Sequence, residues 1–161
     1  MFRPEADHRE PGAILAAGSR VELHRCPPTG WPELDAQHGD LLERVAKLAS
    51  CVSARDAPGA TATLEGLVAA TVRHCATEDD LMERSEYPER AAHRVAHDFF
   101  IQDLYALATE LADSGLTAAV EDWAVVRVPE WLVFHIETND ATLVRHLLRS
   151  RSARNLHPSP S

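Results

Sequence analysis

Long apolar runs are missing from this sequence. The apolar run nearest the start, Ala13 to Ala17, is too short for a signal segment or a membrane span. A cytoplasmic protein that meets no membrane is therefore expected. Lysine is nearly absent, with Lys47 alone, and 16 basic residues face 25 acidic ones without any dense basic cluster. Such a surface does not track phosphates, so nucleic acid is excluded as a partner; no feature specifies a protein partner. The three cysteines, Cys26, Cys51 and Cys75, are odd in number and lack C-x-x-C spacing. Neither a disulfide framework nor a zinc knuckle is implied, and the thiols are expected to be reduced. Histidine goes the other way: there are nine in 161 residues. That excess needs a reason.

Residues 1–32 hold Pro4, Pro11, Pro27, Pro28 and Pro32 with Gly12, Gly18 and Gly30, which predicts an extended N-terminal arm, anchored by Trp31. Residues 150–161 are short, polar and proline-containing and predict a disordered tail. Residues 33–149 carry helical periodicity in four segments. The first, about Glu33 to Ala54, has the inward seam Leu34, His38, Leu41, Val45, Leu48 and Val52. The second, about Ala60 to Ser85, follows a breaker at Pro58-Gly59 and runs Leu64, Leu67, Thr71, His74, Glu78 and Leu81. The third opens at Pro88 and runs His93, His97, Phe100, Leu104, Leu107 and Leu111 until Ser114-Gly115. The fourth, about Thr117 to Leu148, carries Val128, Trp131, Leu132, His135, Leu143 and Leu147, with a kink or a start at Pro129. Short connections predict an all-α, antiparallel up-down-up-down four-helix bundle.

A single inward histidine is most simply a core residue with a hydrogen-bond partner. Five of them with a carboxylate, in a core otherwise built of Leu, Val and Phe, are another matter. Each uncompensated buried ion costs several kcal/mol, whereas a metal turns these groups into ligands and returns about 10 kcal/mol of folding free energy. Residues four apart differ by about 40° on a helix, so His74/Glu78 and His93/His97 each present two ligands to one place. Imidazole and carboxylate without thiolate suit iron, manganese or zinc. So many ligands exceed one ion and point to two.

Four strings together resemble the hemerythrin family: Asp35-Ala36-Gln37-His38; His74-Cys75-Ala76-Thr77-Glu78 with Asp79 and Met82; Tyr87-Pro88 leading to His93 and His97; and Trp131-Leu132 with His135-Ile136 and Asp140. The resemblance spans about Trp31 to Leu148. It implies two non-haem irons joined by an oxo or hydroxo bridge, with His93, His97 and His135 on one, His38 and His74 on the other, and Glu78 and Asp140 on both. It further implies reversible dioxygen binding at the two-histidine iron, for carriage, storage or sensing, beside a pocket wall of Trp131, Leu132 and Ile136. No catalytic residue is implied. Two other readings stand beside it: a di-iron enzyme acting on hydrogen peroxide or nitric oxide, against which counts the lack of an extra inward acid, base or tyrosine, and a structural bundle with zinc or no metal.

Two features sit awkwardly. Five residues on an ideal helix span about 500°, which leaves Asp140 about 140° from His135, so that Asn139 is the geometric choice and only the resemblance selects Asp140. The apolar stripe slips at the same place, so a widened, π-like turn is expected between them. Cys75 stands where the family usually has an aromatic residue, and is read as a small hydrophobe beside the seam, the alternative being a thiol open to oxidation by peroxide released from the irons. His8, His24 and His157 receive no role, and His146 is expected to complement a helix end.

Overall fold

Apolar residues recurring at three and four residues dictate helices, and the computed structural model is helical, with no strand among its described residues, 26–156. Most of the expected arm (residues 1–25, with His8 and His24) and the end of the expected tail (residues 157–161, with His157) lie outside the described residues. Helices α1 (Pro32–Ser53), α2 (Ala57–Arg84) and α3 (Arg90–Ser114) are followed by a continuous helical rod, α4, over residues 118–156. Helix α1 packs on α2 and on the first half of α4, and α2 packs on α3. Near the start of α1, Gln37 meets Thr77 late in α2, while Cys51 near its end meets Thr63 early in α2.

Helix starts follow from their caps. Helix α1 has Pro32 in its first turn, where a missing N–H costs nothing. The preceding segment is tied down by Asp35, whose carboxylate accepts from Thr29 N (2.7 Å), Thr29 Oγ1 (2.7 Å) and Gly30 N (3.1 Å). Burial works against the Asp35 charge, but these hydrogen bonds outweigh it and hold the carboxyl below its ordinary range. Asp35→Ala is expected to lower stability by about 1 kcal/mol, the usual net size of a lost intramolecular hydrogen bond. The deficit, read by thermal melting, should be complete above the ordinary carboxyl pKa of 3.8 and shrink at lower pH, where the wild-type carboxylate also protonates.

Two boundaries differ from expectation. Pro58-Gly59 does not break α2 but opens it: Asp56 caps the helix by accepting from Gly59 N (3.0 Å), with Pro58 in the first turn. A Cβ on Gly59 would collide with that carboxylate. Pro88, in turn, does not open α3. Glu86 takes a left-handed conformation (φ 52°) and Tyr87 N donates back to Met82 O (2.9 Å), so the chain is still wrapping the end of α2 when Pro88 arrives. Helix α3 starts at Arg90, held to α2 by Arg90 Nε–Asp79 Oδ1 (2.9 Å), and ends at Gly115, whose φ of 72° suits a residue without Cβ.

The apolar interior has two parts. The larger gathers Leu41, Val45, Leu48, Leu64, Leu67, Phe100, Leu104, Leu107, Val128 and Leu132 among others. The smaller holds Met82, Tyr87, Leu143 and Leu147, with Trp31 and Leu81 packed against it. Trp31 thus anchors the chain where it enters α1. In α2, His74 and Glu78 lie between the stretches that supply the two clusters, as Asp140 does in α4, and His93 and His97 lie between Tyr87 and Phe100, so the core is interrupted by one polar layer.

Helix α4 widens twice. Its Trp123–Arg127 and Ile136–Asp140 segments are π-helical, with Val128 N–H reaching Trp123 O and Ala141 N–H reaching Ile136 O. The second is the turn the sequence required. The first was not foreseen; it precedes Pro129, which has no N–H to give to Val125 and whose ring would press on that carbonyl in a regular helix. Helix α4 also continues to Leu156, past the expected start of the tail at residue 150. No glycine or proline interrupts the chain between Pro129 and Pro158, and Arg, Leu and Ala favour helix. His146 therefore lies within α4 rather than at its end, and its Nε2 donates to Ser85 O (2.9 Å) in the α2–α3 turn.

Candidate metal centre

The polar layer consists of the seven side chains singled out from the sequence. His38 comes from α1, His74 and Glu78 from α2, His93 and His97 from α3, His135 and Asp140 from α4, and all seven are buried. Spacing of four residues places each pair on one face in α2 and α3. In α4 the π-helical turn does the same for two residues five apart. One nitrogen or oxygen from each of Glu78, His93, His97, His135 and Asp140 lies within 4.8 Å of the others, and the same holds for His38, His74, Glu78 and Asp140. Both carboxylates belong to both sets.

Asp140 divides its oxygens. Its Oδ1 stands 3.1 Å from His135 Nε2 and 3.2 Å from His93 Nε2, whereas Oδ2 stands 3.1 Å from His38 Nε2 and 3.8 Å from His74 Nε2. Glu78 Oε2 lies 3.1 Å from His93 Nε2, 3.2 Å from His97 Nε2 and 3.6 Å from His74 Nε2. Three imidazole nitrogens also crowd together, with His93 Nε2 3.1 Å from that of His97 and 3.2 Å from that of His135. Proximity does not satisfy these atoms. His38 Nε2, Glu78 Oε1 and both Asp140 oxygens are fully buried without a hydrogen-bond partner of good geometry, an expensive state for polar atoms. Converging Nε2 lone pairs and carboxylate oxygens are the donor set of a cation site, and a bound cation is what relieves them.

The electrostatics are mutual. Burial disfavours the Asp140 charge, but the close imidazoles of His135, His38, His74 and His93 outweigh it and hold the carboxyl well below the usual range. Burial and the nearby Asp140 charge push Glu78 up, yet His93 and His97 bring it below its ordinary value. For His93, burial opposes protonation and the two carboxylates prevail, pushing it up to about 9. His97 goes down, chiefly because it is desolvated. The layer thus stays anionic at its two carboxylates.

Around the layer, Trp131 stacks on His135 (centroids 4.4 Å apart) and on Phe100 (3.8 Å), while Leu132 and Ile136 are buried in the larger apolar cluster. Cys75 is half-buried, and burial followed by the Glu78 and Asp140 charges pushes its thiol far up, so it stays protonated. Gln37 was quoted from the sequence only as part of a string. It accepts from His74 Nδ1 at 3.0 Å, a partner legible beforehand only as a polar residue beside an inward histidine.

All-helical architecture and a buried imidazole–carboxylate layer define a class of helical cation-binding protein. The family model described as the hemerythrin HHE cation binding domain matches residues 29–147. This chain belongs to the hemerythrin family. A myohemerythrin of Sipunculus nudus is 31% identical over 107 residues, covering 66% of this chain and 77% of that protein. A bacteriohemerythrin of Pseudomonas aeruginosa is 28% identical over 126 residues, covering 77% of this chain and 79% of that protein. A hemerythrin-like protein of Naegleria gruberi is 30% identical over 104 residues, covering 64% and 79% respectively. Among the described residues, no helix is long and apolar enough to cross a membrane.

Proposed function

We propose that residues 33–149 form an antiparallel up-down-up-down bundle that holds two iron ions and binds dioxygen reversibly as a cytoplasmic carrier, store or sensor. His93, His97 and His135 would hold one ion, His38 and His74 the other, and Glu78 and Asp140 both. The observation that carries this reading is the sharing of the two carboxylates between two ligand sets, with the oxygens of Asp140 turned to different histidines. A single ion would need neither the second set nor the division. When bound, such a pair supplies reversible electron donation to dioxygen.

The chain's own residues provide the setting. Trp131 covers His135, and Leu132 and Ile136 extend the apolar wall, which excludes water and opposes the loss of charge from the site. Tyr87 turns its hydroxyl to Glu89 (3.4 Å) rather than toward the ligands. Apart from the seven and Tyr87, the buried side chains with a polar group among the described residues are Thr63 and Thr71, neither of them an acid or base. That composition favours binding without turnover. Protein purified from iron-supplied cells should contain two irons per chain and, once reduced, change its absorption on exposure to air and revert when oxygen is removed. Absence of iron, or irreversible bleaching with consumption of hydrogen peroxide or nitric oxide, would replace this reading by a structural or an enzymatic one.

A further inference from the structure

The two ligand sets differ in how their imidazoles are held from behind. A histidine that binds a metal through Nε2 must carry its proton on Nδ1, and an acceptor behind the ring fixes that tautomer. Among the described residues, only His74 has a protein hydrogen bond on Nδ1, to Gln37 Oε1 at 3.0 Å. Which end of the Gln37 amide faces the ring is decided one residue further out. Gln37 Nε2 lies 3.1 Å from Thr77 Oγ1, and that hydroxyl donates its own hydrogen to Arg73 O (3.0 Å). Thr77 therefore offers only a lone pair to the amide, which must point its NH2 toward Thr77 and its oxygen toward His74. Three bonds run in one direction: Thr77 O–H to Arg73 O, Gln37 N–H to Thr77 Oγ1, His74 Nδ1–H to Gln37 Oε1. They connect α1 to α2 and leave the His74 Nε2 lone pair facing Glu78 and Asp140.

We infer that Gln37 is a positioning residue that fixes the tautomer and ring orientation of His74, and so sets the strength of the two-histidine metal position separately from the three-histidine one. This inference rests on the two-ion reading above. The test is a titration of the metal-free full chain with Zn2+ against a competing chelator, alongside imidazole 15N spectra of the metal-free protein. Gln37→Leu is expected to weaken one of the two ions 10- to 100-fold, the range for a lost partner behind a metal-bound imidazole, and to leave the other within about twofold. Gln37→Glu, which still accepts from His74, should restore the affinity; a purely structural role for Gln37 would give no such rescue. Equal weakening of both ions, weakening of neither, or failure of Gln37→Glu to rescue overturns the inference. A wild-type chain that binds no second ion removes the two-ion reading instead. The 15N spectrum still judges the bond in that case: it requires the His74 proton on Nδ1 and a shift of that signal in Gln37→Leu, and an Nδ1 that carries no proton overturns the inference.

Discussion

Asp140→Ala is expected to abolish the binding of both ions at once, whereas His38→Ala should cost only one. The difference follows from where the atoms point. Asp140 Oδ1 serves His93 and His135, Oδ2 serves His38, and among the described residues no other side chain reaches both groups except Glu78. Removing a partner behind a metal ligand already costs about 10- to 100-fold in affinity. Removing a ligand shared by two ions should exceed that at each of them, and also leaves the two cations to repel one another with half the intervening negative charge. Metal analysis of the purified variants is the measurement: two ions per wild-type chain, about one for His38→Ala, none retained through gel filtration for Asp140→Ala. Two ions retained by Asp140→Ala would show that the carboxylate is not shared.

The second large effect concerns stability. Metal-free protein must keep seven polar side chains in a dry layer, several of their atoms without hydrogen-bond partners. The internal contacts between imidazoles and carboxylates compensate part of that cost, and bound ions would compensate the rest. Structural metal sites return about 10 kcal/mol or more in small peptides. Here the folded chain has a large apolar core of its own, so a loss of about 5 kcal/mol on stripping the metal is the expected scale. For a domain of this size that corresponds to a fall of about 10–20 °C in melting temperature, measured by calorimetry before and after chelation and again after metal is restored. An unchanged melting temperature would mean that the polar layer is self-sufficient, and its composition would then need another explanation.

The seams of α1, α2 and α3 were legible because regular helices repeat their geometry: Leu41, Val45 and Leu48, or Leu104, Leu107 and Leu111, can only form a stripe at that spacing. The five inward histidines and Glu78 were legible for the same reason, being polar where the stripe demands apolar, whereas Asp140 came from the family resemblance alone. Even the widened turn at residues 136–140 could be read, since His135 and Asp140 conflict with a regular helix and the stripe slips alongside them. What escaped depends on contacts made after the helices assemble. The first π-helical turn leaves no mark on the apolar stripe, and Pro129 alone allowed a kink or a start. Pro58 and Pro88 have the same local preference, yet one opens a helix because Asp56 caps it and the other does not because Tyr87 is still bonded to α2. The role of Gln37 required the position of Thr77 across an interhelical gap, which no spacing within α1 encodes.

The turn around Asp140 leaves α4 one residue longer than a regular helix of the same reach. Thr138 Oγ1 to Phe134 O (2.7 Å) and Thr142 Oγ1 to Thr138 O (2.6 Å) occupy carbonyls along its outer face. Excising a single residue between Ile136 and Asn139 would bring His135 and the aspartate to a four-residue interval, the same interval that already pairs His74 with Glu78. Downstream, Leu143 and Leu147 would keep their phase. Helix α4 is thus the part of the chain where a one-codon deletion can be absorbed, while the same deletion between His74 and Glu78 would swing one ligand away by about 100°.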